Sequence, residues 1–262
     1  MIPRAYITGW RATAPWTANE QVEQDLVISR SLAEIYADSE LARQLAFRGG
    51  TALHKLHLAP AVRYSEDIDM VQVEPGPIGA VIDRLRERLA FLGRPRVVQK
   101  ERNNTLVFLF DSEIPPTVRL KLKVEINCRE HAPVFGTVTV PFEVKSPWYA
   151  GVAAVRTYTL EELLGSKTRA LYQRRKGRDL FDLWYALVAA RPSGSRIAES
   201  FAAIMRADGL RVTARQFEQN MAAKLADNGF RSDTAALIRP GTEYNSDTAW
   251  ALVAREVIAL LP

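Results

Sequence analysis

Between Val118 and Asn127 apolar and polar residues alternate without a break. Val118, Leu120, Leu122, Val124 and Ile126 interleave with Arg119, Lys121, Lys123, Glu125 and Asn127. A period of two marks a strand with one face packed and the other polar. Such a strand needs a sheet around it, and the first part of the chain offers one. Leu45-Ala46-Phe47-Arg48 predicts a short strand closing on Gly49-Gly50, and residues 67–73 predict another. Residues 96–100 and 105–110 predict two more, with Asn103-Asn104 as the turn signal between them. Helical spacing predicts helices over 19–37 and 78–92, the second ended by Gly93, and one through Leu53, Leu56 and Leu58 with Thr51 as N-cap and Pro60 as its stop. From Thr159 the period is helical almost to the end, with helices expected over 160–172, 178–190, 197–207, 214–226 and 248–261. The expected class is α+β: a mixed sheet with flanking helices over residues 1–155, then an all-helical region over 156–262. The boundary is soft, between Pro147 and Arg156.

Composition narrows the chemistry. The single cysteine, Cys128, excludes an internal disulfide framework and a multi-cysteine zinc cluster. Three histidines (His54, His57 and His131) are little from which to build a histidine metal site. The first residues lack the apolar stretch of a secretory signal, and the longest uncharged apolar run, from Leu183 to Ala190, is too short to span a membrane. The expected setting is therefore soluble and cytoplasmic. The net charge of +5 is compatible with phosphate or nucleic-acid partners without identifying either.

Three acidic residues stand out. Asp67 and Asp69 flank Ile68 on a predicted strand, so both carboxylates project to one face, their α-carbons about 6.6 Å apart. That suits shared ligation of two divalent ions about 3.5–4 Å apart, as in in-line phosphoryl or nucleotidyl displacement. Carboxylate oxygens select Mg²⁺ or Mn²⁺. Glu125, on the polar face of the alternating strand, offers a third carboxylate. Taken alone, an Asp-x-Asp is usually a solvated turn or edge, and Gly49-Gly50-Thr51 a tight strand-to-helix turn. Two glycines opening a helix also let backbone approach a phosphate. The combination, with Asp67 sixteen residues beyond Thr51, is more specific than either part.

From Gly165 to Arg178 the chain carries Lys167, Arg169, Arg174, Arg175, Lys176 and Arg178 and no acidic residue. A solvated basic face is the ordinary reading of such a run. A lysine point charge with forked arginines is also what a triphosphate requires, and Lys167 and Arg174 share a helix face if the helix extends that far. Asp179 and Asp182 begin the next predicted helix, where carboxylates are favoured. Arg63 has two readings, pairing with the carboxylates or touching triphosphate. His54 and His57, and the aromatics Phe181, Trp184 and Tyr185, read as packing residues.

Phe47-Arg48-Gly49-Gly50-Thr51-Ala52-Leu53 followed by Arg63-Tyr64-Ser65-Glu66-Asp67-Ile68-Asp69 resembles the first motif of AbiEii-type nucleotidyltransferase toxins, a group of the polymerase-β-like nucleotidyltransferase superfamily that includes the mycobacterial MenT toxins. Lys123-Val124-Glu125-Ile126 is similar to the second motif. Ser166-Lys167 and the stretch from Arg174 through Lys176, Arg178 and Asp179 to Asp182-Leu183 are similar to the C-terminal ones. The resemblance spans roughly residues 20–190. Gly-Gly replaces the superfamily's more usual Gly-Ser, and the third carboxylate is Glu rather than Asp.

The resemblance implies a nucleotidyltransferase-like sheet and a helical C-terminal domain that contributes Lys, Arg and Asp side chains to the active-site cleft. It implies Mg²⁺ or Mn²⁺ on Asp67, Asp69 and Glu125. NTP phosphates would lie on Gly49, Gly50, Thr51, Arg63, Ser65, Lys167, Arg174, Lys176 and Arg178, with Asp67, Asp69, Lys167, Asp179 and Asp182 in catalysis. One of Asp179 and Asp182 would orient Lys167 or an arginine, or help the nucleophile, and Ser65 aligns with a serine that can itself accept phosphate or a nucleotide. The implied acceptor is RNA, especially the 3′ end of tRNA, and the role a toxin with a cognate antitoxin in a type IV-like system. Two alternatives stay open: transfer to a protein or small molecule such as an antitoxin or an aminoglycoside, and a non-catalytic RNA- or partner-binding module of the same fold.

Overall fold

Most elements follow these periodicities. The computed structural model describes residues 2–100 and 103–262. It opens with helices α1 (Arg4–Trp10), α2 (Asn19–Ala37) and α3 (Ser39–Gln44), strand β1 (Leu45–Arg48) and helix α4 (Gly49–Ala52), which continues as a π-helical turn over Leu53–His57. Strand β2 (Ile68–Gln72), helix α5 (Gly79–Arg88), a 3-10 turn (Ala90–Leu92) and strands β3 (Arg96–Gln99), β4 (Asn103–Asp111), β5 (Arg119–Asn127), β6 (Thr137–Ser146) and β7 (Tyr149–Tyr158) follow. The rest is helical: α6 (Leu160–Gln173), α7 (Gly177–Ala189), α8 (Gly194–Ala207), α9 (Ala214–Leu225), α10 (Asn228–Ser232), α11 (Ser246–Glu256) and a 3-10 turn (Ile258–Leu260). No helix among the described residues is long and apolar enough to cross a membrane.

The strands form one mixed sheet in the order β3-β4-β5-β2-β1-β7-β6. The antiparallel register of β4 and β5 sets Leu106 against Val124, Phe108 against Leu122 and Phe110 against Leu120, all buried. This is the packed face foreseen from the alternation. Helix α2 is buried nearly all round, and Val22, Leu26, Val27, Ile28, Leu32 and Ile35 are fully buried. Each such side chain stabilises the fold by about 1.5–3 kcal/mol. Within α2 the buried Asp25 carboxylate accepts from both the Trp10 and Trp16 indoles (2.9 and 3.2 Å) and pairs with the Lys55 ammonium at 3.0 Å.

The chain divides into two compact units. One holds the described residues up to Pro133 together with Thr137–Tyr158; the other holds Val134–Gly136 together with Thr159–Pro262. In the second unit the Thr159 hydroxyl caps α6. The Glu162 carboxylate accepts from the backbone amides of Val134 and Phe135, each at 2.8 Å. A reciprocal Thr213–Gln216 capping box opens α9, and Asn245 caps α11. Phe181, Phe201, Phe217 and Phe230 are the largest side chains of this core.

Several local expectations are corrected. Asn103 and Asn104 are not the turn but the first residues of β4, with Asn104 opposite Gln99; Glu101 and Arg102 between the strands lie outside the described residues. The Asn104 amide is buried and donates to Cys128 Sγ at 3.3 Å, which satisfies a polar group inside a strand. Thr51 is not an N-cap. The helix begins at Gly49, with Arg48 in the cap position and no side-chain cap. The predicted 78–92 and 248–261 helices each end in a 3-10 turn. The stretch 147–156, read as a soft boundary, holds the turn and most of the second strand of the β6–β7 hairpin.

Candidate active site

Strand β2 lies between β1 and β5, antiparallel to the first and parallel to the second. That places Asp69 opposite Arg48 on one side and Glu125 on the other, so the Asp69 and Glu125 carboxylates share the open face of the sheet. Gly49 follows Arg48 with φ +82°, and a β-carbon there would sit 2.1 Å from Asp69 Oδ2. The glycine therefore leaves a notch that the carboxylate fills. Asp67 stands just ahead of β2. Its Oδ2 meets the Lys123 ammonium at 3.4 Å, whereas its Oδ1 is buried with no hydrogen-bond partner. The Thr51 hydroxyl donates to the Asp67 carbonyl and lies 2.8 Å from Ser65 Oγ, tying the Gly-Gly helix to the Asp-x-Asp segment. Buried Arg63 donates to the Tyr64 carbonyl at 2.8 Å. Asn103 Nδ2 donates to Glu125 Oε1 at 3.1 Å.

Among the described residues no three His, Cys, Asp or Glu side chains already converge as a metal cage. The donor set nonetheless fits a hard divalent cation. Asp67, just ahead of β2, and Asp69 and Glu125, on the neighbouring strands β2 and β5, offer the oxygen donors such a cation takes, and a buried carboxylate oxygen without a partner costs about 1–3 kcal/mol or more unless something ligates it.

In the helical unit, Lys167 is buried, its side chain 10% exposed. Its ammonium pairs with Asp179 Oδ1 at 3.2 Å and Asp182 Oδ2 at 2.8 Å, and both carboxylates are fully buried. Helix α6 stops at Gln173, so Arg174 does not continue the Lys167 face as anticipated; its backbone is extended. Instead its guanidinium grips Asp179 with two bonds of 2.7 and 2.8 Å. Burial raises the Asp179 carboxyl, but the Lys167 ammonium and the Arg174 guanidinium outweigh it and hold the pKa below the ordinary carboxylate value. Gly177 begins α7 with no room for a side chain, since a β-carbon would lie 2.1 Å from the Phe230 carbonyl.

The run that is free of acids along the chain is not so in space. Arg169 meets Asp208 at 3.5 Å, Arg175 meets Asp227 at 3.1 Å and Lys176 meets Asp233 at 3.5 Å. Asp233 also accepts from the Arg178 amide at 3.1 Å. Residues that sequence reasoning missed complete both clusters. Lys123 and Asn103 lie on the open face beside the carboxylates. Buried Lys224 donates to the Leu171 and Tyr172 carbonyls at the end of α6. The alternating polar face contained the signal for Lys123; nothing local marks Lys224 or Asp233.

The chain's fold is similar to that of MenT4, a nucleotidyltransferase toxin from Mycobacterium tuberculosis H37Rv, with a TM-score of 0.63 and 15% identity over 99% of this chain and 90% of that one. A putative nucleotidyltransferase from H. pylori is also similar, with a TM-score of 0.55 and 16% identity over 91% of this chain and 94% of that one. No protein of curated function matches significantly by sequence. The profile of the family described as nucleotidyl transferase AbiEii toxin, type IV toxin–antitoxin system, matches residues 30–254 and so extends past the motif region into the last helices. The chain belongs to the AbiEii nucleotidyltransferase toxin family.

Proposed function

We propose that this nucleotidyltransferase transfers NMP from an NTP to an RNA hydroxyl, the 3′ end of tRNA in particular, with release of pyrophosphate and with Mg²⁺ or Mn²⁺ held by Asp67, Asp69 and Glu125. The observation that carries the reading is the buried, partnerless Oδ1 of Asp67 beside an Asp69 carboxylate seated in the Gly49 notch. When bound, a divalent ion stabilises charge developing on the phosphoryl oxygens and lowers the pKa of the attacking hydroxyl.

The protein's part is positioning. Thr51 and Ser65 hold the Asp-x-Asp segment against the start of α4. The backbone of Gly49-Gly50 is open to an approaching phosphate. Lys123 balances one oxygen of Asp67. In the helical unit, Asp179 and Asp182 position Lys167 and Arg174, and these cations with Lys176 and Arg178 take the triphosphate charge. Cytoplasmic tRNA and NTP are the substrates, and a cognate antitoxin restrains the toxin.

Incubation of the protein with total tRNA, Mg²⁺ and each labelled NTP in turn tests this. The expected result is RNA lengthened at its 3′ end, abolished by Asp67→Ala. Label appearing only on protein, or undiminished transfer by Asp67→Ala, overturns it.

A further inference from the structure

The open face that carries the carboxylates continues outward across β5, β4 and β3, and its composition changes on the way. Registered partners share a face, so the rows can be read directly. Asp69, Glu125, Thr105 and Val98 form one row. Lys123, Val107 and Arg96 form the next, with Asp67 at its inner end against Lys123. Lys121 and Leu109 form a third, and Arg119 and Asp111 a fourth. The Asn103–Glu125 hydrogen bond confirms that the β4 and β5 side chains of these rows lie on the same side.

Two properties make this surface unusual for the outer part of a sheet. Leu109 is 49% exposed and lies beside half-buried Val107, so the two leave an apolar strip open to solvent. Around it stand exposed Arg96, Lys100 and Lys121 and half-buried Lys123. Of the facing carboxylates, Asp111 is paired with Arg119 at 2.8 Å, Asp67 with Lys123, Glu125 accepts from Asn103, and Asp69 fills the Gly49 notch. Arg96 and Lys121 make no ion pair among the described residues. Lys121 is four residues from Glu125, about 13 Å along the strand, and Arg96 is two strands away, roughly 10 Å. A polyanion with apolar faces between its charges fits such a strip, because sequence-independent RNA contacts combine cations for the backbone with side-chain platforms for the bases, aromatic in most proteins and aliphatic here.

We propose that this β3–β5 shelf docks the acceptor RNA next to its reacting end, with Arg96 and Lys121 on phosphates and Val107 and Leu109 under a base. The inference rests on the RNA reading of the active site and adds the surface that holds the substrate.

The test compares wild type with the double variant Arg96→Glu/Lys121→Glu, whose exposed positions spare the core. Binding to tRNA is measured by filter retention across a salt series, and transfer is measured in parallel. The expected result is an affinity at least about tenfold weaker with a salt dependence shallower by one to two phosphate contacts, alongside an unchanged melting temperature and unchanged NTP binding by calorimetry. Leu109→Ser should raise the KM for RNA without altering the salt slope. Equal RNA affinity in wild type and double variant overturns the shelf while leaving the RNA reading intact. Equal RNA affinity with loss of an acidic protein partner instead assigns the face to protein binding and equally overturns it. A wild type that neither binds nor lengthens RNA overturns both.

Discussion

Gly49 and Asp69 stand in contact across the β1–β2 pair, with Asp69 Oδ2 only 2.1 Å from where a β-carbon on Gly49 would be. The positive φ of +82° adds a backbone cost for any L side chain there, about 1–2 kcal/mol. Gly49→Ala should therefore leave a folded protein with a displaced Asp69 carboxylate. A shift of about 1 Å in a reacting geometry can cost about 100-fold, so kcat should fall by at least that order at saturating NTP while the circular dichroism spectrum is unchanged.

Asp67 makes a separate prediction, because one of its oxygens is buried without a partner. Without divalent cation, Asp67→Asn should melt at or above the wild-type temperature. With saturating Mn²⁺ the wild type should gain about 5–10 °C, as about 2.7 kcal/mol of ligand stabilisation implies for a chain of this size. The variant should gain nothing. Differential scanning fluorimetry with and without Mn²⁺ reads both effects.

Lys167 neutralises two fully buried carboxylates. Lys167→Met removes the ammonium that pairs with both buried carboxylates and should cost about 3–5 kcal/mol in urea unfolding. Lys167→Met/Asp182→Leu should recover part of that loss. Arg174 is half-exposed, so Arg174→Ala should cost no more than about 1–2 kcal/mol and act mainly by raising the KM for NTP. Activity lost in Lys167 variants therefore needs a stability measurement beside it.

Burial lowers the Lys224 ammonium from its usual 10.5 to about 8. Between these values the unfolded chain holds a proton that the folded chain lacks, so unfolding free energy rises as pH rises through this window. Below pH 8 both states are charged and the full penalty of burying the cation is present. From pH 7.5 to 9.5 the urea midpoint of wild type should climb relative to that of Lys224→Met, which has no such group. A parallel pair of curves would refute the assignment.

Legibility in the sequence followed the strength of the local pattern. The Val118–Asn127 alternation marked β5 because one face of that strand is wholly buried, and the bounds of α2 coincide with its helical spacing. The β6–β7 hairpin escaped notice although Val138, Val140, Phe142 and Val144 alternate with Thr137, Thr139, Pro141 and Glu143, because β6 carries Pro141 and buries only Val144, and β7, rich in alanine and glycine, shows no clean period. Asn103 and Asn104 look like turn residues in one dimension; only the partners Glu125 and Cys128, more than twenty residues away, make them strand residues. The same distance problem hid the carboxylates that neutralise the basic run, since Asp208, Asp227 and Asp233 lie on later helices or in the loops that end or follow them.

The short segment Val134–Gly136 belongs to the helical unit although the chain on both sides of it belongs to the sheet unit. Its amides rest on the Glu162 carboxylate, and the Arg196 guanidinium lies over the Phe135 ring, 4.1 Å from its centre. The polypeptide therefore passes between its two units three times rather than once. No single cut can separate them: a fragment ending at residue 158 would carry Val134 and Phe135 without their acceptor, and one beginning at 159 would leave Glu162 buried without its donors. Deletion series and minimal-toxin fragments designed around one linker should yield aggregates. Point substitutions in the intact chain are the informative way to dissect it.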